Sequence, residues 1–317
     1  MYDIVVVGAG IAGLTAAIYG RRAGKSVLVL ESETYGGQII NTLEIENWPG
    51  DFKVSGVDLM QKIYNQAVEL GAEVEFEQVK IVTETDEYWT EGDAMKETRK
   101  IWLIQTEDEV YRTKAVVLAV GAENRKLGLP REDELAGRGV SYCATCDGAF
   151  YKDKIVAVIG GGNTALDDAL YLSDICKKVY LVHRRDEFRG AAATVAKVRE
   201  RGNIELVLGF VPAEIKGEKK VSGMKLTPSG KVSGIERERE LEVEGVFVAI
   251  GQTPETASFA DLVDLDAGGY IKADEDCKTM RPGVFVAGDC RTKEVRQLVT
   301  AAADGAAATD AAIEYLA

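Results

Sequence analysis

The stretch IVVVGAGIAGL at residues 4–14 decides the fold of this chain. Its first four residues are all β-branched and apolar, which is typical of a parallel strand buried on both faces. The glycine turn GAGIAG at 8–13 follows at once, and a helical pattern then leads to a second apolar strand at 27–30. Strand, glycine turn, helix and strand together predict a βαβ unit of the kind that binds dinucleotides.

The same pattern occurs again at IVAVIGGGNTAL, residues 155–166. The separation of 23 residues between Gly8 and Glu31 recurs between Gly160 and His183. A chain of 317 residues is long enough for two domains with full cores. The repeat therefore predicts an α/β protein with two Rossmann-like dinucleotide-binding domains.

The apolar runs that end at Gly121 and Gly251 suggest that the second domain is inserted within the first. The predicted bounds are 1–121 with 252–317 for the first domain, and 122–251 for the second. Residues 84–100 are polar, and we expect them to form an exposed excursion between short strands.

Composition excludes several classes of function. Lys+Arg 38 against Asp+Glu 52 gives a net charge of −14, which repels phosphate backbones, so we expect no nucleic-acid partner. The N-terminus enters a strand directly and no window resembles a membrane helix, so we expect a cytoplasmic protein with no membrane partner. The sequence contains one histidine, His183, so any zinc site that needs two histidines is excluded, and we predict no metal.

Each glycine turn predicts a nucleotide site, because the first glycine permits the bend, the second admits a pyrophosphate and the third position packs helix on strand. In the first copy these are Gly8, Gly10 and Gly13, and Glu31 is placed to meet the adenosine ribose of FAD or NAD. In the second copy Gly160 and Gly162 are followed by Asn163 and Thr164. The cluster at the end of its second strand then predicts recognition of a 2′-phosphate, and its members are His183, Arg184, Arg185 and Arg189. A solvated basic patch is the alternative interpretation of that cluster.

Cys143 and Cys146 have the CxxC spacing of dithiol chemistry. A zinc knuckle needs a second pair, and the other three cysteines are isolated in the sequence; two unrelated thiols and metal ligation are the alternatives to a redox pair. Asp147 follows directly and is the nearest group able to carry a proton for the thiolates. A solvated turn carboxylate is the alternative for that residue.

These motifs resemble the bacterial and archaeal low-molecular-weight thioredoxin reductases, a class of flavin- and NAD(P)-dependent pyridine nucleotide-disulfide oxidoreductases. The resemblance covers essentially the whole chain. The motifs that carry it are GAGIAG at 8–13, GGQI at 36–39, ENWPG at 46–50, CATCDG at 143–148, GGGNTA at 160–165, HRRDEFR at 183–189, VFVAGDC at 284–290 and VRQLVTAAADGAAA at 295–308. The family's usual ATG reads AVG at 119–121, and residues 84–100 look longer than the family's norm.

The resemblance implies that the first domain binds FAD and that the inserted domain binds NADPH. The implied FAD contacts are Gly8, Gly10, Gly13, Glu31, Gly37, Gln38, Asn47, Asp289, Arg296, Gln297 and Leu298. The implied NADPH contacts are Gly160, Gly162, Asn163, Thr164 and the 183–189 cluster. It also implies that Cys146 faces the flavin, that Cys143 attacks the thioredoxin disulfide, that Asp147 donates a proton, and that the protein is a homodimer.

The expected activity is therefore thioredoxin-disulfide reduction, with electrons passing from NADPH through FAD and the Cys143–Cys146 disulfide to thioredoxin. Three alternatives stay open. One takes electrons from ferredoxin, and another reduces a glutaredoxin-like or peroxiredoxin partner. The third is a non-catalytic redox sensor that uses flavin and CxxC to switch a binding partner.

Overall fold

The computed structural model describes residues 1–91, 94–232, 234 and 237–317. The chain divides into two compact units. Unit 1 comprises Met1–Glu123 and Thr253–Ala317, and unit 2 comprises Asn124–Gln252. Unit 2 is thus inserted in the sequence of unit 1. The chain passes between the units at 123/124 and 252/253, within two residues of the predicted bounds at 121/122 and 251/252.

Helices and strands alternate over residues 2–75 and 144–208, and runs of consecutive strands occupy residues 81–141 and 210–286. The elements up to the first crossing are β1 (Tyr2–Val7), α1 (Ile11–Arg22), β2 (Val27–Leu30), α2 (Gly56–Glu69), β3 (Glu73–Glu75), β4 (Ile81–Glu91), β5 (Ala94–Gln105), β6 (Val110–Leu118) and β7 (Ala122–Asn124). Those that follow are β8 (Val140–Ser141), α3 (Ala144–Asp147), β9 (Ile155–Gly160), α4 (Asn163–Ser173), β10 (Lys178–His183), α5 (Ala192–Glu200), β11 (Ile204–Leu208), β12 (Phe210–Lys216), β13 (Gly223–Pro228), β14 (Arg239–Leu241) and β15 (Gly245–Ala249). The last are β16 (Gln252–Pro254), β17 (Val284–Val286) and α6 (Leu298–Tyr315). Within the described ranges, no helix is both long and apolar enough to cross a membrane.

The main sheet of unit 1 has the order β3-β2-β1-β6-β5-β4, and β17 also pairs with β6. Strands β1, β2, β3, β6 and β17 run parallel, whereas β5 and β4 are added antiparallel. Ile4 and Val6 face one core with helices α1, α2 and α6, and Val5 and Val7 face a second core on the other side. Burial on both faces explains why β1 is continuously apolar.

Unit 2 contains a parallel five-stranded sheet with the order β11-β10-β9-β15-β8. Two cores flank this sheet, and all of their residues come from unit 2. Strands β12, β13 and β14 form a separate antiparallel sheet. The predicted α/β class with two dinucleotide-binding folds is confirmed.

The prediction that residues 84–100 form an excursion between short strands was wrong. These residues lie in β4 and β5, two long antiparallel strands in which Glu84 pairs with Trp102. Trp102 is buried, and the guanidinium carbon of Arg281 lies 5.6 Å from the centre of its ring. The polar sequence was misleading because strands at the margin of an antiparallel sheet need not carry an apolar face along their whole length. Residues 92 and 93, and the predicted exposure of the side chains at 87–99, lie outside what the structure describes.

Candidate functional site

The glycines of the first turn serve two different purposes. Gly8 has a φ of +106°, and a Cβ there would lie 2.4 Å from the carbonyl oxygen of Ala119. A Cβ on Gly13 would lie 1.9 Å from the carbonyl oxygen of Gly8. A Cβ on Gly10, by contrast, would meet no protein atom within 4 Å. The chain's own packing requires Gly8 and Gly13, whereas Gly10 keeps open the space in front of the first turn of α1.

The second turn has the same division of roles. A Cβ on Gly160 would lie 2.3 Å from the carbonyl oxygen of Ala249, and a Cβ on Gly162 would meet nothing within 4 Å. Gly162 directly precedes α4, as Gly10 directly precedes α1. Both helices therefore begin with unpaired backbone N–H groups beside an open space, the arrangement that accommodates a phosphate.

Glu31 ties the end of β2 to the first turn. Its Oε2 atom accepts the N–H of Ala9 at 2.7 Å, and its Oε1 atom accepts the N–H of Ser32 at 2.8 Å. The carboxylate is therefore held at the carboxyl end of the parallel strands, where dinucleotide folds bind their ligand.

A cleft in unit 1 brings together most of the residues predicted to contact FAD. Its lining includes Gly8, Gly10, Glu31, Gly37, Gln38, Asp289, Gln297 and Leu298. The Asp289 carboxyl lies in this cleft, and its Oδ1 atom is buried without a hydrogen-bond partner among the described residues. Burial raises the pKa of Asp289, while the charges of Lys293 and Arg296 oppose that rise. A buried polar atom without a partner, on a residue that lines a cleft, is the kind of atom whose hydrogen bonding a bound ligand can complete.

The remaining predicted residues of unit 1, Gly13, Asn47 and Arg296, are not among the lining residues of the cleft. Gly13 packs beneath the turn, as described above. Asn47 donates from Nδ2 to Oε1 of Gln297 at 3.2 Å. Arg296 stacks its guanidinium 4.2 Å from the ring centre of Tyr270. Sequence reasoning missed further lining residues that belong to none of the quoted motifs, namely Glu77, Gln78, Val79, Glu123, Glu255, Ser258 and Phe259.

A buried ionic cluster supports the turn that carries Asp289, and it too was missed. Asp304 on α6 accepts the N–H of Gly288 at 3.0 Å and the Nζ of Lys293 at 2.7 Å. It also accepts two hydrogen bonds from Arg291, at 2.9 and 2.8 Å. Burial alone would raise the pKa of Asp304, but the hydrogen bonds and charges of Arg291 and Lys293 hold it below its usual range. An aspartate inside the alanine-rich helix α6 was the signal that could have revealed it.

In unit 2, the basic cluster separates into a buried ring and exposed cations. His183 is 5% exposed, and a Cβ on Gly161 would lie 2.2 Å from its ring, so the ring packs behind the glycine turn. Burial lowers the pKa of His183, and the neighbouring arginines lower it further. Arg184, Arg185 and Arg189 are exposed. The permanent positive charge of the cluster therefore resides on the arginines.

The first turn of α4 holds the loop that carries these arginines. Asn163 accepts the N–H of Ala191 through its Oδ1 at 2.8 Å, and the N–H of Arg189 donates to the carbonyl of Gly161 at 2.8 Å. Asn163 and Thr164 are both exposed. The glycine turn, α4 and the basic loop thus form one connected surface of unit 2.

Cys143 and Cys146 form a disulfide in unit 2, where Cys143 is the N-cap of α3 and Cys146 lies within that helix. The N–H of Cys146 donates to the Sγ of Cys143 at 3.2 Å, and Thr145 Oγ1 lies 3.4 Å from the same sulfur. The three other cysteines are buried thiols. Both cysteines are half-buried, and Thr145 between them is exposed. A partly accessible disulfide of this kind can exchange with an external thiol or disulfide.

Asp147 ends α3, directly after Cys146, and accepts a hydrogen bond from a residue that the sequence did not reveal. Ser141 donates from Oγ to Oδ2 of Asp147 at 2.6 Å. Burial raises the pKa of the Asp147 carboxyl, and the hydrogen bond from Ser141 opposes this rise. A half-buried carboxyl with a raised pKa is suited to hold and release a proton.

Comparisons with known proteins extend over the whole chain. Residues 2–305 match the family described as pyridine nucleotide-disulphide oxidoreductase. The thioredoxin reductase of Listeria monocytogenes is 39% identical over 317 residues, which cover 100% of this chain and 94% of that protein. The thioredoxin reductase of Bacillus subtilis is 38% identical and is covered to 95% of its length.

A solved structure of a thioredoxin reductase is also similar to this chain over its whole length. The crystal structure of thioredoxin reductase from Streptococcus pyogenes has a TM-score of 0.89 and 36% identity to this chain. The likeness covers 100% of this chain and 98% of that protein.

Proposed function

The chain belongs to the thioredoxin reductases of the pyridine nucleotide-disulphide oxidoreductase family, and we propose that it uses NADPH and FAD to reduce the disulfide of a thioredoxin. The observation that carries the proposal is the Cys143–Cys146 disulfide in the same unit as a glycine turn flanked by exposed arginines. A disulfide carrier and a nucleotide site for the 2′-phosphate are the two parts that this activity requires.

The residues of unit 1 suit FAD. The pyrophosphate would lie in the space over Gly10, in front of the N-terminus of α1. Glu31 would meet the adenosine ribose, and the unpartnered Oδ1 of Asp289 would accept a hydrogen bond from a ribityl hydroxyl. The remaining proposed contacts are Gly8, Gly13, Gly37, Gln38, Asn47, Arg296, Gln297 and Leu298.

The residues of unit 2 suit NADPH. Gly160, Gly162, Asn163 and Thr164 would bind the pyrophosphate at the start of α4. Arg184, Arg185 and Arg189 would pair with the 2′-phosphate, with the neutral ring of His183 packed behind them. Together the two cofactors would supply two electrons at the potential needed to open the disulfide.

The dithiol then acts on thioredoxin through the chain's own groups. Cys143 serves as the attacking thiolate, the role that the family resemblance implies, and in the disulfide its sulfur receives the N–H of Cys146. Cys146 resolves the mixed disulfide, and Asp147 supplies or takes up the proton. This assignment follows the family resemblance and is supported by the position of Asp147 directly after Cys146 in α3.

Anaerobic titration tests the proposal. NADPH added to the purified flavoprotein is expected to bleach the flavin absorbance, and a thioredoxin from the same organism is expected to restore it. Cys146→Ser is expected to keep bleaching by NADPH and lose thioredoxin reduction. Cys176→Ser, a buried thiol of the same unit, serves as the matched control and is expected to keep both.

Two outcomes would redirect the assignment. Failure of NADPH to bleach the flavin, with bleaching by reduced ferredoxin, would replace the electron donor. Bleaching by NADPH without transfer to any thioredoxin, but with transfer to a glutaredoxin-like or peroxiredoxin protein, would replace the acceptor. We propose in addition that the protein works as a homodimer in the cytoplasm, which analytical ultracentrifugation and cell fractionation would test.

A further inference from the structure

Ser141 forms hydrogen bonds with both Asp147 and the backbone of Cys143. Its side chain is 3% exposed at the end of β8. The hydroxyl has one hydrogen, and the near acceptor is Oδ2 of Asp147 at 2.6 Å, whereas the carbonyl oxygen of Cys143 is 3.3 Å away. The same hydroxyl oxygen accepts the backbone N–H of Cys143 at 3.1 Å. One buried hydroxyl thus connects the Asp147 carboxyl to the backbone of Cys143.

The other titratable groups near Asp147 do not replace this hydrogen bond. Tyr151 follows on the same turn, and its pKa is raised to about 12, first by burial and then by the charges of Asp147 and Cys176. Helix α4 packs against α3 and carries Asp167 and Asp168, which add no positive charge. Strand β15, which pairs with Ser141 through Phe247, carries no titratable group. Of the interactions acting on Asp147 in the described chain, the bond from Ser141 favours the ionised carboxylate.

We propose that Ser141 is a positioning residue for the dithiol chemistry: its hydroxyl fixes the carboxyl of Asp147, which directly follows Cys146, and sets how readily this carboxyl gives up its proton. The inference rests on the proposed function, because it takes Asp147 as the proton donor. Reduction breaks the Sγ–Sγ bond with two electrons that originate from NADPH, and the two sulfurs take up two protons. Asp147 delivers one of them and is reprotonated from solvent, and solvent supplies the other.

Loss of the hydroxyl has a defined sign. The hydrogen bond stabilises the carboxylate, so its removal in Ser141→Ala raises the pKa of Asp147 further. Activity that needs protonated Asp147 falls as the pH rises through that pKa. The alkaline limb of kcat against pH is therefore expected to move to higher pH by about one unit, the size of one lost hydrogen bond to a charged group.

Three variants make the test specific. Ser141→Thr keeps a hydroxyl and is expected to return the limb toward the wild-type position. Ser173→Ala removes another buried serine of unit 2, which donates to Leu170 and not to Asp147, and is expected to leave the profile unchanged. Adding Ser141→Ala to Asp147→Asn is expected to produce no further shift. A shift of the same size in the Asp147→Asn background would overturn the proposal, because Ser141 would then act through another group.

A second measurement needs neither cofactor nor thioredoxin. The rate at which iodoacetamide alkylates Cys143 in the pre-reduced enzyme is followed against pH by mass spectrometry. An inflection that Asp147→Asn removes is expected to move upward in Ser141→Ala. If the wild type reduces no thioredoxin but this inflection moves, the proposed function fails and the positioning role stands. If the wild type turns over and neither profile responds to Ser141→Ala, the positioning role fails and the function stands.

Discussion

Arg184 and Arg185 follow β10 with exposed side chains, whereas His183 beside them is buried. We expect the double substitution Arg184→Ala with Arg185→Ala to lower kcat/KM for NADPH about 100-fold, because each arginine contributes charge-assisted hydrogen bonds to a 2′-phosphate. NADH lacks that phosphate, so its kcat/KM is expected to change less than about threefold. Steady-state kinetics with both nucleotides give the comparison.

Arg201→Ala is the matched control for this pair. Arg201 is an exposed arginine of the same unit that pairs with Asp174 on the surface, and such pairs contribute little. Its loss is expected to affect neither nucleotide. Equal losses for NADPH and NADH in the double variant would show that the cluster does not recognise the 2′-phosphate.

Single residues differ in how far the sequence predicts them. The cysteine pair could be predicted because its chemistry depends on a spacing of three residues. Ser141 and Asp304 could not, because their roles depend on hydrogen bonds to Asp147 and to Gly288 that only the folded backbone brings within reach. The charge of the 183–189 cluster was visible in the sequence, whereas the burial of His183 behind Gly161 depends on tertiary packing.

At the scale of elements, the glycines of each strand–turn–helix junction have two different roles. Some are required by the packing of the helix on the strand, and one keeps space open in front of the helix. The periodicity of β1 and α1 predicted the junction, because a doubly buried strand and a glycine turn are local features. The long β4–β5 pair was missed, because pairing between polar strands is set by their neighbour β6 and not by their own periodicity.

Gly13→Ala and Gly10→Ala test this separation. Gly13→Ala forces α1 away from the Gly8 carbonyl, so we expect the free energy of unfolding of the apoprotein to fall by about 1–3 kcal/mol. Gly10→Ala meets open space at a φ of −72°, so stability is expected to stay within about 1 kcal/mol while FAD affinity falls at least tenfold. Urea unfolding of the apoprotein and quenching of FAD fluorescence measure the two quantities. Full FAD affinity in Gly10→Ala would show that the open space is not the pyrophosphate site.

At the scale of the molecule, the inserted unit contains what an independent domain needs. It is one continuous segment, and both of its cores use residues from within that segment. Its ends lie together, because Gln252 donates from Nε2 to Oδ1 of Asn124 at 2.9 Å and the N–H of Arg125 donates to the carbonyl of Gly251 at 3.0 Å. The repeat in the sequence predicted a second domain, because each copy carries a complete βαβ pattern, and the apolar runs that end at Gly121 and Gly251 suggested its limits.

Residues 124–252 expressed alone are therefore expected to fold. We expect one cooperative urea transition by circular dichroism, with a free energy of unfolding of about 5–10 kcal/mol. The segment is expected to bind NADPH within about threefold of the affinity of the full-length apoprotein, since every proposed contact lies inside it, and to bind no FAD. Fluorescence titration with NADPH measures the affinity, and Arg184→Ala with Arg185→Ala in the same segment is the control that should lose it. A broad, non-cooperative transition would mean that the two cores of unit 2 depend on unit 1, because the chain ends and the βαβ pattern are intact in the segment.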